Sequence, residues 1–355
     1  MSSDGAQALL TAIHASCHHP WTLMEVCGGQ THALLRHGID RLLPAQLELI
    51  HGPGCPVCVT ASEQLDQAIA LAEHPGLILC SYGDMLRVPA SDGRTLLGAR
   101  ARGADVRVVY APLDVLAIAR ANPERRVVFL AVGFETTAPA TALLALQAQA
   151  AAIRNLELLV CHVRVPPVLD QMLSEPACRV QAVLAAGHVC TVMGEEAYVE
   201  LVARHRRPIV ITGFSAEELL RGILAAVRQL EAGEHRLENA YPPAVRAGGN
   251  SAGQALLEQV FEPVDAPWRG LGVISAGGYR LKAPFDQFAA RPDHAVGWAA
   301  APESTADCPA AAVLQGLIKP HQCPHFARRC TPDQPLGAPM VSSEGACAAY
   351  HRYQG

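Results

Sequence analysis

The chain has 355 residues and a formal net charge of −5, and 50% of its residues are hydrophobic while 5% are aromatic. A chain of this length can form two or three domains with buried cores, and this composition is typical of compact α/β proteins and not of disordered ones. Because the charge is negative and no group of lysines and arginines compensates locally, we expect no nucleic-acid partner.

The first residues lack the basic and apolar segments of a secretion signal, and no apolar stretch reaches the length of a membrane-spanning helix. We therefore expect a cytoplasmic protein with no membrane partner. In that compartment the twelve cysteines do not predict a disulfide framework, because the cellular thiol pool keeps them reduced. They indicate metal ligands, redox thiols and small buried residues.

The first candidate site follows an apolar run at 22–26, which comes after a predicted amphipathic helix at 7–16. Cys27 ends the run and is followed by two glycines, and a short helix is predicted at 31–37. A thiol near a helix N-terminus forms a thiolate more readily, and His32 would lie close enough to bond a ligand on the sulfur. The alternatives, a buried inert cysteine and a structural imidazole, stay open.

The second candidate site is a cysteine pair on a stiff turn. An apolar run at 47–50 leads into Gly-Pro-Gly-Cys-Pro-Val-Cys at 52–58, so a strand delivers Cys55 and Cys58 onto the turn. A helix predicted to begin near residue 61 would lower the pKa of both thiols. The pair can form a disulfide or share a metal; a structural zinc site would need a second Cys-x-x-Cys, which the sequence lacks. Redox or reactive-metal chemistry is therefore the favoured interpretation.

Apolar runs alternate with helical segments along the first two thirds of the chain. They form a first set at 47–50, 77–80, 106–110 and 127–132, and a second set at 156–161, 181–185 and 208–212. This alternation predicts an α/β fold with two similar parallel-sheet domains around a cleft. Both sets end in Gly-Phe, which indicates a weak internal duplication.

Ligands of such sheets gather at the carboxyl ends of the strands. Three polar residues in those loops, Glu135, His162 and His188, are therefore candidates to contact a cofactor or the tail of a partner. The structural alternative is that Glu135 caps a helix and that each histidine closes a hydrogen bond within its loop.

The changes of pattern divide the chain into four ranges. They are an N-terminal segment at 1–45 with the Cys27 motif, a first α/β domain at 46–135, a second at 136–228, and a C-terminal domain at 229–355. The last range holds Cys308, Cys323, Cys330 and Cys347, with prolines beside or near three of them. Four thiolates suit a [4Fe-4S] cluster or a structural zinc, and from chemistry alone zinc is slightly favoured because it is the commoner use.

Four motifs in order carry a resemblance to a known family. They are Met-Glu-Val-Cys-Gly-Gly-Gln-Thr-His at 24–32, the motif at 52–58, Gly-Phe-Glu-Thr-Thr at 133–137 and Glu-Gly-Ala-Cys-Ala-Ala-Tyr at 344–350. From about residue 20 to its end, the chain resembles the HypD family of hydrogenase maturation factors. One departure is Gln30, where a histidine is common in the family.

The resemblance implies a scaffold that builds the Fe(CN)2CO unit of [NiFe]-hydrogenases. The family pairs with the small chaperone HypC, here expected as a 1:1 complex, and the iron would be held between the chaperone's N-terminal cysteine and Cys27. Cyanide would arrive from the carboxy-terminal thiocyanate of HypE. The family also holds a [4Fe-4S] cluster, which implies that the C-terminal quartet of cysteines binds a cluster and not zinc.

The resemblance also implies roles for the other motif residues. Cys55 and Cys58 would exchange two electrons as dithiol and disulfide, linked to the cluster. His32 would orient the assembly or bond a cyanide nitrogen. His188 and Glu344 are expected to handle protons or ligands.

The runner-up interpretation is a stand-alone iron-sulfur oxidoreductase that reduces protein disulfides through Cys55 and Cys58. Such an enzyme has no use for Cys27 and its two glycines, so this motif favours the scaffold. No chemical role is assigned to five further cysteines, which are expected to be buried or incidental. They are Cys17, Cys80, Cys161, Cys178 and Cys190.

Overall fold

A computed structural model of the chain describes residues 3–291 and 308–354. The strands are β1 (Trp21–Glu25), β2 (Leu47–His51), β3 (Leu77–Ser81), β4 (Asp105–Val108), β5 (Arg126–Gly133), β6 (Leu156–His162), β7 (Ala182–Ala186), β8 (Ile209–Thr212), β9 (Leu237–Asn239), β10 (Phe261–Trp268) and β11 (Gly272–Leu281).

The helices up to the end of β9 are α1 (Ser3–Ser16), α2 (Gly28–Arg36), α3 (Ile39–Leu42), α4 (Pro56–Val59), α5 (Ser62–Ala72), α6 (Leu96–Ala101), α7 (Asp114–Ala121), α8 (Ala138–Ala150), α9 (Val165–Ser174), α10 (Gly187–Met193), α11 (Glu196–His205) and α12 (Ala216–Glu231). After β9 come α13 (Ser251–Val260), α14 (Ala310–Leu314), α15 (Ala338–Val341) and α16 (Ala346–Gln354). Short 3-10 helices span Gly83–Arg87, Ala283–Phe288 and Pro320–Gln322. Within the described ranges no helix is both long and apolar enough to cross a bilayer.

Two parallel sheets form the framework. One has five strands in the order β2-β1-β7-β8-β9, and the other has four in the order β4-β3-β5-β6. Their inner strands are almost wholly buried, since helices cover both faces, which is why they are read from the sequence as continuous apolar runs. The edge strands β4 and β9 are more exposed. The predicted α/β class with two parallel sheets is confirmed. The antiparallel hairpin β10-β11 was not predicted, because its first strand has no continuous apolar run and contains two prolines, which are uncommon inside strands.

Two of the predicted runs belong to the other sheet. The run at 47–50, assigned to the first set, is β2 and pairs with β1, whereas the run at 156–161, assigned to the second, is β6 and pairs with β5. The grouping was wrong because an apolar run does not indicate which strand will lie beside it in the sheet. The crossover connections determine that pairing. The chain begins the five-stranded sheet, leaves it to build the four-stranded one, and returns. The sheets therefore do not follow the ranges 46–135 and 136–228, and β1 of the segment 1–45 is an inner strand.

The C-terminal segment folds back onto the cysteine loops. Helix α16 packs on α2, which follows Cys27, and α15 packs on α4, which contains Cys58. On one face of the five-stranded sheet, Cys27, Cys55 and Cys58 share an apolar core with Trp268 of β10. The motifs that lie far apart in the sequence thus meet in one region.

Candidate thiol and metal-binding site

Cys27 lies where β1 passes into α2, and its backbone is fixed on both sides. Its N–H donates to Oε2 of Glu25 at 2.8 Å, and the N–H of Gly28 donates to the carbonyl of Gly54 at 2.8 Å. The residue lies near a helix N-terminus, as the sequence predicted, and it is the N-cap itself, because α2 begins at Gly28 and not at Thr31. Its side chain is only slightly exposed.

Burial raises the pKa of the Cys27 thiol to about 12, although the backbone N–H groups of Gly29 and Gln30 lower it. The carboxylates of Glu25 and Glu344 raise it further. The expectation of a readily formed thiolate was therefore wrong for the side chain on its own, because desolvation exceeds the effect of the helix N-terminus. A bound cation is what would make this sulfur ionise.

Cys55 and Cys58 form a disulfide. Cys55 is the N-cap of α4, and its sulfur accepts the N–H of Cys58 at 3.1 Å. Both side chains are almost completely buried, with 3% and 0% of their surfaces exposed. The helix expected near residue 61 begins at Ser62, but the pair lies at the separate short helix α4, which begins at Pro56 and contains Cys58. Of the two chemistries that the spacing allowed, the structure contains the disulfide.

A pocket of about 530 Å³ opens beside Cys27. Its walls are the loops that follow β1, β2, β3, β4, β5 and β7, together with residues 342–344. It therefore collects the carboxyl ends of strands from both sheets, where parallel sheets bind their ligands. Its volume suits a small molecule or the end of a peptide.

His188 and Glu344, two of the predicted site residues, line this pocket with Cys27. The His188 ring stacks on Phe214 with 3.9 Å between centroids, and partial burial lowers its pKa. Glu344 packs against Gly28, where an added Cβ would lie 2.5 Å from the Glu344 Cβ. Partial burial, and secondarily the nearby Asp84, raise the pKa of the Glu344 carboxyl.

His32 lies elsewhere. It is not among the residues that line the pocket, and its Nε2 lies 2.9 Å from the hydroxyl of Tyr353 on α16. Burial lowers its pKa, a hydrogen bond with the backbone of Ser343 at the pocket wall raises it, and Arg352 and Arg36 lower it further. The side chain therefore ties α2 to the C-terminal helix, and a contact with a ligand on Cys27 stays a prediction.

Glu135 takes the helix-capping role that the sequence left open as an alternative, whereas His162 bonds a residue of α8 and not one of its own loop. Glu135 is fully buried, and its Oε1 accepts the N–H of Val165, the first residue of α9, at 3.0 Å. Burial raises the pKa of its carboxyl to about 7. Nε2 of His162 lies 2.9 Å from the hydroxyl of Thr141, and burial lowers the pKa of this imidazole to about 4.

A buried polar network at Cys27 was not predicted from the sequence. Glu25, His51 and Tyr350 are all almost completely buried, and Oε1 of Glu25 lies 2.7 Å from Nδ1 of His51. The available signal was a charged residue inside an apolar run, two positions before the cysteine, because a buried carboxylate requires partners.

Cys308, Cys323, Cys330 and Cys347 line one small pocket whose other walls are mainly apolar. The sulfurs are close enough to raise the pKa of one another: that of Cys347 is raised by burial first and then by the other three. The N–H of Leu336 donates to the sulfur of Cys330 at 3.4 Å.

The four cysteines are compatible with a four-iron cluster, whose ligands lie farther apart than those of a single zinc ion. Tetrahedral zinc holds sulfurs at about 2.3 Å from one centre, so its ligands must converge tightly. Among residues 3–291 and 308–354, no group of three or more His, Cys, Asp or Glu side chains converges in that way. A [4Fe-4S] cluster is larger than a single ion and takes one cysteine ligand at each iron. Its reduction potential depends on burial in apolar surroundings and on N–H···S hydrogen bonds.

Comparison with known proteins identifies the family of the chain. The family model described as "HypD: Hydrogenase formation hypA family" matches residues 4–354. The hydrogenase maturation factor HypD of Azotobacter vinelandii is 45% identical over 361 residues, with 99% of this chain and 95% of the relative covered. That of Escherichia coli K12 is 43% identical, with 96% and 91% covered, and that of Rhodobacter capsulatus is 42% identical, with 98% and 93% covered. The chain belongs to the HypD family of hydrogenase maturation factors.

Proposed function

We propose that the chain is the scaffold on which the Fe(CN)2CO unit of [NiFe]-hydrogenases is assembled, in a complex with the small chaperone HypC. The observation that carries this proposal is the position of Cys27 at a pocket formed by loops of both sheets, next to the loop of the Cys55–Cys58 pair. The family membership supports it, since the relatives bear the name hydrogenase maturation factor.

Cys27 is proposed to bind the iron, which is the substrate of the assembly. A soft thiolate suits low-spin iron with strong-field diatomic ligands. The pocket of about 530 Å³ leaves room for a cysteine of HypC and for cyanide and CO. Loading of iron would release the thiol proton, because a metal ligand must be deprotonated.

The cysteine pair is proposed to exchange electrons during ligand transfer. Reduction of the Cys55–Cys58 disulfide consumes two electrons and two protons and yields two thiols, and oxidation reverses this. Cys308, Cys323, Cys330 and Cys347 would hold a [4Fe-4S] cluster, which supplies one-electron transfer when bound. Helix α15 contacts α4, and its residues Pro339 and Met340 line the pocket of the four cysteines.

Two pocket residues are proposed to serve the incoming ligands. The raised pKa of Glu344 lets this carboxyl hold a proton close to Cys27. His188, stacked on Phe214 with a lowered pKa, presents a neutral imidazole to the carboxy-terminal thiocyanate of HypE, which would enter through the same pocket. His32 is proposed to act indirectly, through its contact with Tyr353.

The runner-up function is a stand-alone iron-sulfur oxidoreductase of protein disulfides. Thiol-disulfide exchange needs access of an attacking thiolate to a sulfur. The exposed fractions of 3% for Cys55 and 0% for Cys58 oppose that access. We therefore favour a redox role inside the assembly complex.

The test is an infrared spectrum across the cyanide and CO stretching region, recorded on the chain purified anaerobically with co-expressed HypC. We expect bands in the wild type and in Cys17→Ala, a matched loss of a buried thiol, and none in Cys27→Ala. Undiminished bands in Cys27→Ala would refute the assignment of the iron ligand. Absence of bands from an intact wild-type complex that shows cluster absorption would favour the oxidoreductase.

A further inference from the structure

Three buried side chains connect the backbone of Cys27 to the C-terminal helix. Oε2 of Glu25 accepts the N–H of Cys27 at 2.8 Å, and Oε1 accepts the hydroxyl of Thr31 and lies 2.7 Å from Nδ1 of His51. On the other side of the imidazole, Nε2 lies 3.1 Å from the hydroxyl of Tyr350. The exposed fractions of Glu25, His51 and Tyr350 are 0%, 4% and 2%.

Each member of the network has a polar partner. The carboxyl oxygens of Glu25 meet the N–H of Cys27, the hydroxyl of Thr31 and Nδ1 of His51, and the Tyr350 hydroxyl, which can donate or accept, meets Nε2 of His51. Loss of any one hydroxyl or ring nitrogen would leave a buried partner without its bond, which is costly in an apolar interior.

Tyr350 belongs to the part of the chain that carries the cysteine quartet. It follows Cys347 by three residues on α16, so the two lie on one side of the helix. Its ring is 5.7 Å from that of His321, which lies in the 3-10 helix directly before Cys323. Tyr350, the end of the network, is thus close in the chain to Cys347 and contacts the segment that leads to Cys323.

We propose that Glu25, His51 and Tyr350 are positioning residues that hold the Cys27 loop for iron binding and make its geometry depend on the placement of α16. This inference rests on the proposed function, in which Cys27 binds the iron. Glu25 acts on Cys27 through the backbone N–H; His51 and Tyr350 act through Glu25. An ordered C-terminal segment would then be a condition for an ordered iron site, because Tyr350 is in place only when α16 is docked.

The test measures how fast iodoacetamide alkylates Cys27 in the anaerobically purified chain, read by peptide mass spectrometry. Cys80 and Cys161, buried in the four-stranded sheet, are internal references for general loosening of the fold. In Tyr350→Phe, which keeps the ring and loses the hydroxyl, we expect the Cys27 rate relative to the references to rise about fivefold. Tyr279→Phe, which loses another buried hydroxyl outside the network, is the matched control and should not change the ratio.

Substitutions of His51 separate its two bonds. His51→Asn keeps a donor near the position of Nδ1 and should resemble Tyr350→Phe, whereas His51→Ala loses both bonds and should give a larger rise. The double variant Tyr350→Phe, His51→Asn should show no further rise in the alkylation ratio, since both substitutions remove the same hydrogen bond, that between Nε2 of His51 and the Tyr350 hydroxyl. A ratio in Tyr350→Phe equal to that in Tyr279→Phe, or a parallel rise at Cys80 and Cys161, would overturn the inference.

An infrared spectrum of the same proteins with HypC distinguishes the two failures. Cyanide bands that shift in Tyr350→Phe but not in Tyr279→Phe support the positioning role, which a general loss of stability would not mimic. If the wild type shows the bands but the alkylation ratio of Tyr350→Phe is unchanged, the positioning role is rejected and the proposed function is not. Wild-type protein without bands rejects the proposed function, and the alkylation ratio still decides whether the network positions Cys27.

Discussion

Gly54 packs directly on the backbone of Cys27. A Cβ added at residue 54 would lie 2.2 Å from the nitrogen and 2.4 Å from the Cα of Cys27, far inside van der Waals contact. The Gly54 carbonyl also accepts the N–H of Gly28 at 2.8 Å. The loop of the iron-binding candidate and the loop of the cysteine pair are therefore locked together, and displacement of one moves the other.

This contact predicts that Gly54→Ala disturbs both loops. The methyl group would meet backbone atoms, which cannot rotate away, so we expect a loss of about 1–3 kcal/mol in the free energy of unfolding. Urea unfolding measures it. Gly248→Ala is the control, because an added Cβ there has no neighbour within 4 Å. Equal stability of the two variants would show that the loops separate without cost.

The cysteine quartet gives a second prediction. Cys347→Ser should remove the visible absorption of the cluster and lower iron and acid-labile sulfide together, because the serine oxygen is a poor ligand for this centre. Metal analysis beside the absorption spectrum measures this. Cys178→Ser changes a half-buried thiol outside the quartet and should keep both. Stoichiometric zinc in the wild type, without sulfide, would contradict the assignment.

Much of the framework could be predicted from the sequence, because its signals are local. Most parallel strands are apolar runs, and both thiol motifs follow such runs at the carboxyl end of a strand, where the structure has them. The edge strand β9, Leu-Glu-Asn, carries no such signal. Which run pairs with which could not be predicted. The partners of β2 and β6 depend on where the chain crosses between sheets, and that information is not contained in the runs themselves.

The site shows the same division. His188 and Glu344 line the pocket with Cys27, as their motifs suggested, but His32 contacts Tyr353 instead. A residue five positions after Cys27 lies near it in sequence, yet its direction on α2 depends on where α16 docks. The ionisation of Cys27 was misjudged for a related reason, since the helix N-terminus is visible in the sequence and the depth of burial is not.

A third prediction concerns the cysteine pair. Cys58→Ser removes the disulfide and leaves Cys55 without its partner, so the two-electron exchange is lost. If this exchange is needed for ligand transfer, the complex with HypC should form and show cluster absorption, while the cyanide and CO bands are absent. The measurement is the infrared spectrum with the visible spectrum of the same sample. Bands of wild-type intensity in Cys58→Ser would exclude a redox role for the pair in assembly.

The last prediction uses two buried groups whose pKa values are displaced in opposite directions. The pKa of Glu135 is raised to about 7, so the folded state holds a proton that the unfolded state releases above its usual value of 4.5. Its contribution to stability is present below pH 4.5 and is lost as the pH rises to 7. The pKa of His162 is lowered to about 4, so its contribution is present above pH 6.5 and is lost as the pH falls to 4. Between pH 4.5 and 6.5 the two groups change the free energy of unfolding with pH in opposite directions. Their effects therefore largely cancel in the wild type.

Single substitutions separate these slopes. The stability of Glu135→Gln relative to the wild type should rise with pH between 4.5 and 7, and that of His162→Gln should fall with pH between 4 and 6.5, each by about 3 kcal/mol over its range. Urea unfolding of the three proteins at a series of pH values gives these differences. The opposite signs are the decisive feature, because a general loss of packing would lower stability by the same amount at every pH. Differences that are flat, or that share one sign of slope, would mean that these two side chains are not buried in the protonation states their surroundings imply.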